Sequence, residues 1–250
     1  MGDKKIVLQK FIANNSSYSR RGAEELIKKE KILVNNKLAY LGQRVDENDE
    51  IKINNKRIKL AKKKIYIKLN KPVGFVCTSR KFKKEKNVFD LINIRKKLLI
   101  AGRLDKNSRG LVLLTNDGSL VQKITHPRFE HEKEYLVTIF NFSAQGGPAS
   151  DWQSSHFGQK INELIVKFKK GVDIGEGDGI VKVKDIKYLG HNKFKIILTQ
   201  GKKRQIRKMF AEFNYSIKDL VRVGIGDLKL ENLAEGKWKY LSANEINSIL

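Results

Sequence analysis

The chain has 250 residues, with 52 Lys or Arg against 27 Asp or Glu and a formal net charge of +25. So large a charge repels itself in a compact fold and points to a polyanionic partner, nucleic acid ahead of an anionic membrane surface. No apolar run reaches the roughly 18 residues of a membrane span, the single Cys77 excludes an internal disulfide framework, and four scattered His give no zinc spacing. The first ten residues are charged and lack the apolar stretch of a signal peptide. No GxxxxGK[ST] loop and no GxGxxG after a strand occurs. These absences read as a soluble, cytosolic protein that is metal-independent and not driven by a nucleotide.

Ile6 to Asn14 is predicted as a short helix with Leu8, Phe11 and Ile12 on one face. Ser19 is placed to cap a second helix, Arg20 to Glu30, which buries Ala23, Leu26 and Ile27. Ile32–Val34 and Lys37–Ala39 read as strands around Asn35-Asn36, which tolerates the positive φ of a tight hairpin. Ile51 and Ile53 flank Lys52 as a further half-buried strand. The first 61 residues thus form one domain and residues 62–250 a second. Cations at a helix N-terminus oppose the macrodipole, so Arg20 and Arg21 call for a phosphate partner unless they merely coat a solvated turn.

In the second domain Ile65, Ile67 and Leu69 alternate as a strand, and Asn70-Lys71-Pro72-Val73-Gly74 turns the chain. A basic loop, Ser79 to Asn87, follows. Gly102 to Gly118 joins a polar loop to an apolar strand, Leu111 to Leu114. Ser119 to Thr125 is a helix stopped by His126-Pro127, and Tyr135 to Ile139 a strand. Ser143 to Gln159 contains no Lys or Arg and reads as a surface loop insertion. Ile161, Leu164, Ile165 and Phe168 repeat at helical spacing up to Gly171 at the C′ position. Gly175, Gly177 and Gly179 mark a hairpin turn. Val181–Val183 and Phe194–Thr199 are strands, Ile206, Met209, Phe210 and Phe213 a helix, and Asp219–Val223 and Leu228–Leu230 closing strands.

Within the loop, Asp105 lies among Arg103, Lys106 and Arg109, which would lower its pKa and keep it ionised. From the residues alone it is a nucleophile, a base or a salt-bridge partner, and the salt bridge is the commonest use of a loop Asp.

The segments Leu8-Gln9-Lys10-Phe11-Ile12-Ala13, Ser19-Arg20-Arg21, Ala23-Glu24-Glu25-Leu26-Ile27 and Ile32-Leu33-Val34-Asn35 resemble the small αL-type RNA-binding module named after a small-subunit ribosomal protein. In that module the second helix and its Arg residues face RNA. Gly102-Arg103-Leu104-Asp105 followed by Gly110-Leu111-Val112-Leu113-Leu114-Thr115-Asn116-Asp117-Gly118 resembles the active-site signature of RsuA/RluB-type pseudouridine synthases, Val112 being the one change in the apolar run. Gly102 stands where the related RluA-type branch carries His. Leu69 to Gly74, Lys133 to Val137, Gly201 to Phe210 and Leu220 to Gly226 fit the same family.

The resemblance implies an α+β fold, a small helix–helix–hairpin domain followed by a larger mixed, mainly antiparallel-sheet catalytic domain. It implies that Asp105 is the catalytic carboxylate, that Tyr135 stacks on the uracil or takes part in proton removal at carbon 5, and that Arg207 pairs with Asp105. It also implies no metal, no cofactor and a monomer acting on ribosomal RNA or a pre-ribosomal particle, with the large subunit preferred. Arg20, Arg21, Lys71, Arg103, Lys202, Lys203, Arg204 and Lys208 are the candidate RNA contacts. The competing reading is a non-catalytic RNA-binding assembly protein, which suits the charge and the first domain equally but leaves Asp105, Tyr135 and Arg207 unexplained.

Overall fold

The computed structural model describes residues 5–59, 63–80, 82–94, 96–140, 155–175 and 177–249, with residues 155–157 described in backbone only. Contacts divide the chain into two compact units. One is Met1–Ile65 with Lys96–Leu98 and Asn116–Gly118, the other Tyr66–Arg95 with Leu99–Thr115 and Ser119–Leu250.

The first unit runs β1 (Ile6–Val7), α1 (Leu8–Asn15), α2 (Arg20–Lys28), β2 (Ile32–Val34), β3 (Lys37–Leu38), β4 (Arg44–Val45), β5 (Ile51–Ile53) and β6 (Lys56–Arg57). The helix predicted from Ile6 starts at Leu8 because Ile6 and Val7 pair antiparallel with Val45 and Arg44. Ser19 caps α2, its Oγ accepting the Gly22 amide at 2.9 Å. Asn35 (φ 50°) and Asn36 (φ 63°) turn β2 into β3. Asn54 (φ 46°) and Asn55 (φ 61°) use the same chemistry between β5 and β6, a hairpin the strand pattern alone did not reveal. The antiparallel sheet β3-β2-β5-β6 and the two helices close over Leu8, Phe11, Ile12, Ala23, Ile27 and Ile32.

The second unit contains β7 (Tyr66–Lys71), β8 (Phe75–Val76), β9 (Lys86–Asn87), β10 (Leu99–Ala101), β11 (Arg109–Thr115), α3 (Gly118–Thr125, its first residue grouped with the small unit), β12 (Lys133–Ile139), α4 (Ser155–Lys170), β13 (Val172–Asp173), β14 (Ile180–Val181), β15 (Asp185–Gly190), β16 (Lys193–Leu198), α5 (Gln205–Ala211), β17 (Ile217–Ile225), β18 (Leu228–Lys229), β19 (Trp238–Tyr240) and α6 (Ala243–Asn247). Nine strands form one sheet along the path β15-β16-β12-β17-β11-β7-β19, with β10 beside β11 and β18 beside β17. The β11–β17 join is parallel and the other joins of this sheet are antiparallel. This is the mixed, mainly antiparallel α+β architecture expected.

One face of the sheet packs Leu111, Leu113, Val221 and Ile225 against Leu120 and Ile124 of α3 and Leu241 and Ile249 of the C-terminal segment. The other face packs Phe194 against Phe210 of α5, which in turn meets Phe168 of α4, with ring centroids 5.4 and 5.0 Å apart. Strand β7 is buried on both faces. The polar side of its alternating pattern is covered too, because Lys68 is clamped by Glu231 (2.7 Å) and Glu245 (2.5 Å) and Asn70 donates to the Leu233 carbonyl.

Of the stretch read as a loop insertion, residues 143–154 lie outside the described residues, and residues 155–159 already belong to α4. The apolar periodicity begins at Ile161, but no proline stops the backbone from continuing the helix toward its N-terminus. Gly175, Gly177 and Gly179, expected to mark a turn, lie between β13 and β14, whose strands pair antiparallel, and all three have positive φ.

Candidate active site

A single transverse row of residues organises the second unit. Lys71 on β7 pairs with Gly110 on β11, Gly110 with Arg222 on β17, and Arg222 with Tyr135 on β12. Cross-strand partners project to the same face, so Lys71, Arg222 and Tyr135 share one side of the sheet. It is also the side of α5, because Tyr135 pairs with Ile196 and the Val137–Phe194 pair lies two residues along. The register slips between Glu134 and Tyr135, a bulge of the kind that re-aims a side chain beside a functional site. Gly110 leaves the gap in the row: a Cβ there would stand 2.3 Å from the Arg222 carbonyl oxygen, and its φ is +108°.

At the end of this row lies the loop from Gly102 to Ser108, which carries Asp105. Three cations hold its backbone by the carbonyls. Arg222, 1 % exposed, donates Nη2 to Gly102 O (2.8 Å), Nη1 to Arg103 O (3.4 Å) and Nε to Leu111 O (2.8 Å). Lys71, fully buried, donates to Ser108 O (2.5 Å), Lys106 O (3.4 Å) and Pro72 O (3.0 Å). Arg207 of α5 donates Nη2 to Asn107 O at 2.8 Å. The turn is closed by the Ser108 amide on Asp105 O and by the Gly74 amide on Lys106 O.

The Asp105 side chain is half-buried. Among the described residues it makes no ion pair within 4 Å. The three basic neighbours expected to surround it are occupied elsewhere or exposed. Lys106 pairs with Glu85 at 2.9 Å, Arg109 makes a two-pronged contact to Asp219 and reaches Glu235, and Arg103 is exposed. The direct Arg207–Asp105 pair implied by the resemblance is replaced by the bond to Asn107, two residues along the loop. Arg207 still feels the carboxylate. Burial and the nearby Arg204 pull its pKa down, while Asp105 and Asp219 push it up. Burial likewise lowers the Lys71 pKa, opposed by Cys77, Asp105 and Glu235. Burial pushes the Cys77 thiol up, offset in part by the Leu104 amide, Lys71, Arg222 and Arg103. Arg207 Nε is buried with no hydrogen-bond partner among the described residues. The result is a carboxylate set near positive charge and, among the described residues, with no cation in ion-pair contact.

Tyr135, 8 % exposed, sits on β12 next to Arg222. Arg20 and Arg21 lie exposed at the start of α2, and Lys202, Lys203 and Arg204 are exposed ahead of α5. Two candidate RNA contacts fare differently. Lys71 is no surface cation, because the pairing of β7 with β11 carries it inward onto the carbonyls of the Asp105 loop. Lys208 is half-buried and pairs with Asp178 at 2.8 Å. Arg222 was given no role by sequence, although a lone Arg in the apolar run Leu220-Val221-Arg222-Val223 is the signature of a buried cation with a polar task.

A half-buried carboxylate on a loop braced by cations, and an aromatic residue in the strand row that braces it, form an arrangement suited to chemistry on a polyanionic substrate in so basic a chain. Residues 65–212 match the family described as RNA pseudouridylate synthase, and residues 8–51 match the S4 domain. The chain belongs to the RNA pseudouridine synthases, in the RsuA/RluB type that carries an N-terminal S4 domain. It is 35 % identical over 98 % of its length to the dual-specificity RNA pseudouridine synthase RluF of Escherichia coli, covering 78 % of that protein. It is 38 % identical over 94 % of its length to ribosomal large subunit pseudouridine synthase B of Buchnera aphidicola, covering 90 % of it. A crystal structure of a pseudouridylate synthase superposes with TM-score 0.66 at 27 % identity, covering 98 % of this chain and all of that one. The protein is thus an intramolecular isomerase of RNA uridines. Among the described residues, no helix is long and apolar enough to cross a membrane.

Proposed function

We propose that this chain isomerises a uridine of large-subunit ribosomal RNA, acting as a monomer in the cytoplasm, with Asp105 as its catalytic residue. The support is the Asp105 carboxylate, free of ion pairs among the described residues, on a loop whose carbonyls at Gly102, Arg103, Lys106, Asn107 and Ser108 are all bound by cations. The large-subunit reading leans on the printed name of the Buchnera relative and on the Gly201–Phe210 segment.

The reaction breaks the bond from ribose carbon 1 to uracil nitrogen 1, turns the base, joins carbon 1 to carbon 5, releases the carbon 5 proton and leaves nitrogen 1 protonated, so that substrate and product hold the same atoms. Asp105 attacks carbon 1 or removes a ribose proton to give a glycal, and both routes need a placed, ionised carboxylate. Tyr135 stacks on the extruded uracil and serves proton removal at carbon 5. Arg207 holds the loop at Asn107 and supplies positive charge beside Asp105. Extruding the uridine costs about a few kcal/mol, which phosphate contacts from Arg20, Arg21, Arg103, Lys202, Lys203 and Arg204 offset. In this proposal the chain folds as an RNA-binding domain over residues 1–61 and a catalytic domain over 62–250.

The test is carbodiimide-adduct primer extension across both ribosomal RNAs from cells with and without the gene. One stop in the large-subunit RNA should vanish on deletion and return with the wild-type chain but not with Asp105→Asn. The Asn variant should lose roughly 10²–10⁴-fold or more in turnover while still binding RNA. An unchanged stop pattern refutes the substrate, and an active Asp105→Asn refutes the catalytic assignment.

A further inference from the structure

Among the described residues, Arg222 is a buried cation that takes part in no ion pair, and it is 1 % exposed. The hydrogen bonds it makes to them go to backbone oxygens, and the three acceptors lie on the chain that enters or leaves the Asp105 turn: Gly102, Arg103 and Leu111. Burying a guanidinium without a counter-ion is costly, and purely structural needs are met at lower cost by an apolar side chain. Two glycines lie against it. Gly110 lets the β17 backbone at Arg222 approach where any Cβ would collide with it, and Gly102 sets its own backbone in van der Waals reach of the guanidinium, a built Cβ standing 3.5 Å from Nη1. Both glycines have φ values open to glycine and hostile to other residues.

We propose that Arg222 is a positioning residue for the isomerisation. Its planar fork fixes the Gly102–Arg103 peptides on one side of the turn and Leu111 on the other, so that Asp105 presents its carboxylate to the ribose instead of collapsing onto a neighbouring cation. Lys71 performs the same task on the far side of the turn through Lys106 and Ser108. Two features make the arginine specific. A guanidinium reaches three acceptors in a fixed plane, whereas a lysine ammonium is a single point of charge on a flexible stem. Arg222 also stands in register with Tyr135 at the bulge, so one residue links the carboxylate loop, through its side chain, to the strand that carries the tyrosine, through its backbone pairing. The inference rests on the reading of Asp105 as the catalytic carboxylate.

The experiment compares wild type, Arg222→Lys, Arg222→Ala and Asp105→Asn on full-length 16S and 23S transcripts carrying tritium at uridine carbon 5. Release of tritium under single-turnover conditions reads the chemistry, filter binding reads RNA affinity, and thermal melting reads the fold. Arg222→Lys should release tritium about 100-fold or more slowly with RNA affinity within about twofold of wild type. Millimolar guanidinium should restore at least tenfold of the rate lost in Arg222→Ala and do nothing for Asp105→Asn. Wild-type turnover in Arg222→Lys overturns the proposal. So does a parallel loss of binding, melting temperature and turnover in both Arg222 variants, which would make the residue a support of the fold alone. Tritium release by Asp105→Asn would instead remove the catalytic reading beneath the proposal, an outcome separate from either.

Discussion

Gly110→Ala puts the geometry of the catalytic sheet to its most direct test. The substituted Cβ would lie 2.3 Å from the oxygen, 2.7 Å from the nitrogen and 3.0 Å from the carbonyl carbon of Arg222. All three are backbone atoms of the β17 strand, at the parallel join where Gly110 faces Arg222, and cannot swing aside as a side-chain tip would. Two costs add. Placing a side chain at φ +108° costs about 1–2 kcal/mol, and forcing a methyl into a filled site costs about 1–3 kcal/mol. The sum, about 2–5 kcal/mol, is a large share of the roughly 5–15 kcal/mol that holds a domain folded. For a unit of this size each kcal/mol moves the melting temperature by about 2–4 °C, so a drop of roughly 5–20 °C is expected. Turnover should fall further than stability, because relief of the clash displaces Arg222 and with it the Gly102 and Arg103 carbonyls. Gly175→Ala supplies the comparison: it has φ +62° and open space around a built Cβ, so it should show the backbone strain without the collision. Thermal melting by circular dichroism, paired with tritium release, reads both quantities. If Gly110→Ala melts no lower than Gly175→Ala and keeps wild-type turnover, the close approach of β11 and β17 is not what this structure describes.

Other contacts make equally direct tests. The Lys68 clamp makes stability pH-dependent. Burial lowers the Lys68 pKa, but the hydrogen bonds its ammonium donates to Glu231 and Glu245 outweigh it and leave the pKa raised above 10.5. The Glu231 pKa is held below 4.5 chiefly by Lys68, while the Glu245 pKa ends below 4.5 because Lys68 and Ser242 overcome its burial. The carboxylates therefore add stability that is fully present above 4.5 and lost as pH falls through their depressed values. Lys68 adds stability fully present below 10.5 and lost as pH rises through its raised value. Lys68→Met should flatten both limbs of melting temperature against pH, and an unchanged acid limb would refute the clamp. Ser19→Ala removes the acceptor of the Gly22 amide and should cost the small unit about 1 kcal/mol, visible as faster amide exchange at Gly22 and Ala23. Protection equal to wild type would show that the cap contributes nothing.

Features that depend on near neighbours along the chain were legible without the fold. Ser19 lies three residues before the amide it caps, Asn35-Asn36 carries its own tolerance of positive φ, and the apolar spacing from Ile161 to Phe168 needs only the helical period. The α+β class and the identity of Asp105, Tyr135 and Arg207 as the residues to watch came from motifs contiguous in the chain. Tertiary structure alone decided the partners. Lys71 read as a surface cation because its turn is polar, and only the pairing of β7 with β11 turns it inward onto carbonyls 35 and 37 residues away. Arg222 meets the loop across 111 to 120 residues of chain, through a parallel join of β11 to β17 that no local pattern encodes. Asp105 lies within reach of three basic residues in the sequence, yet Lys106 and Arg109 find carboxylates at Glu85, Asp219 and Glu235. Charge is legible residue by residue, but which opposite charge a side chain meets depends on the fold that carries distant strands together.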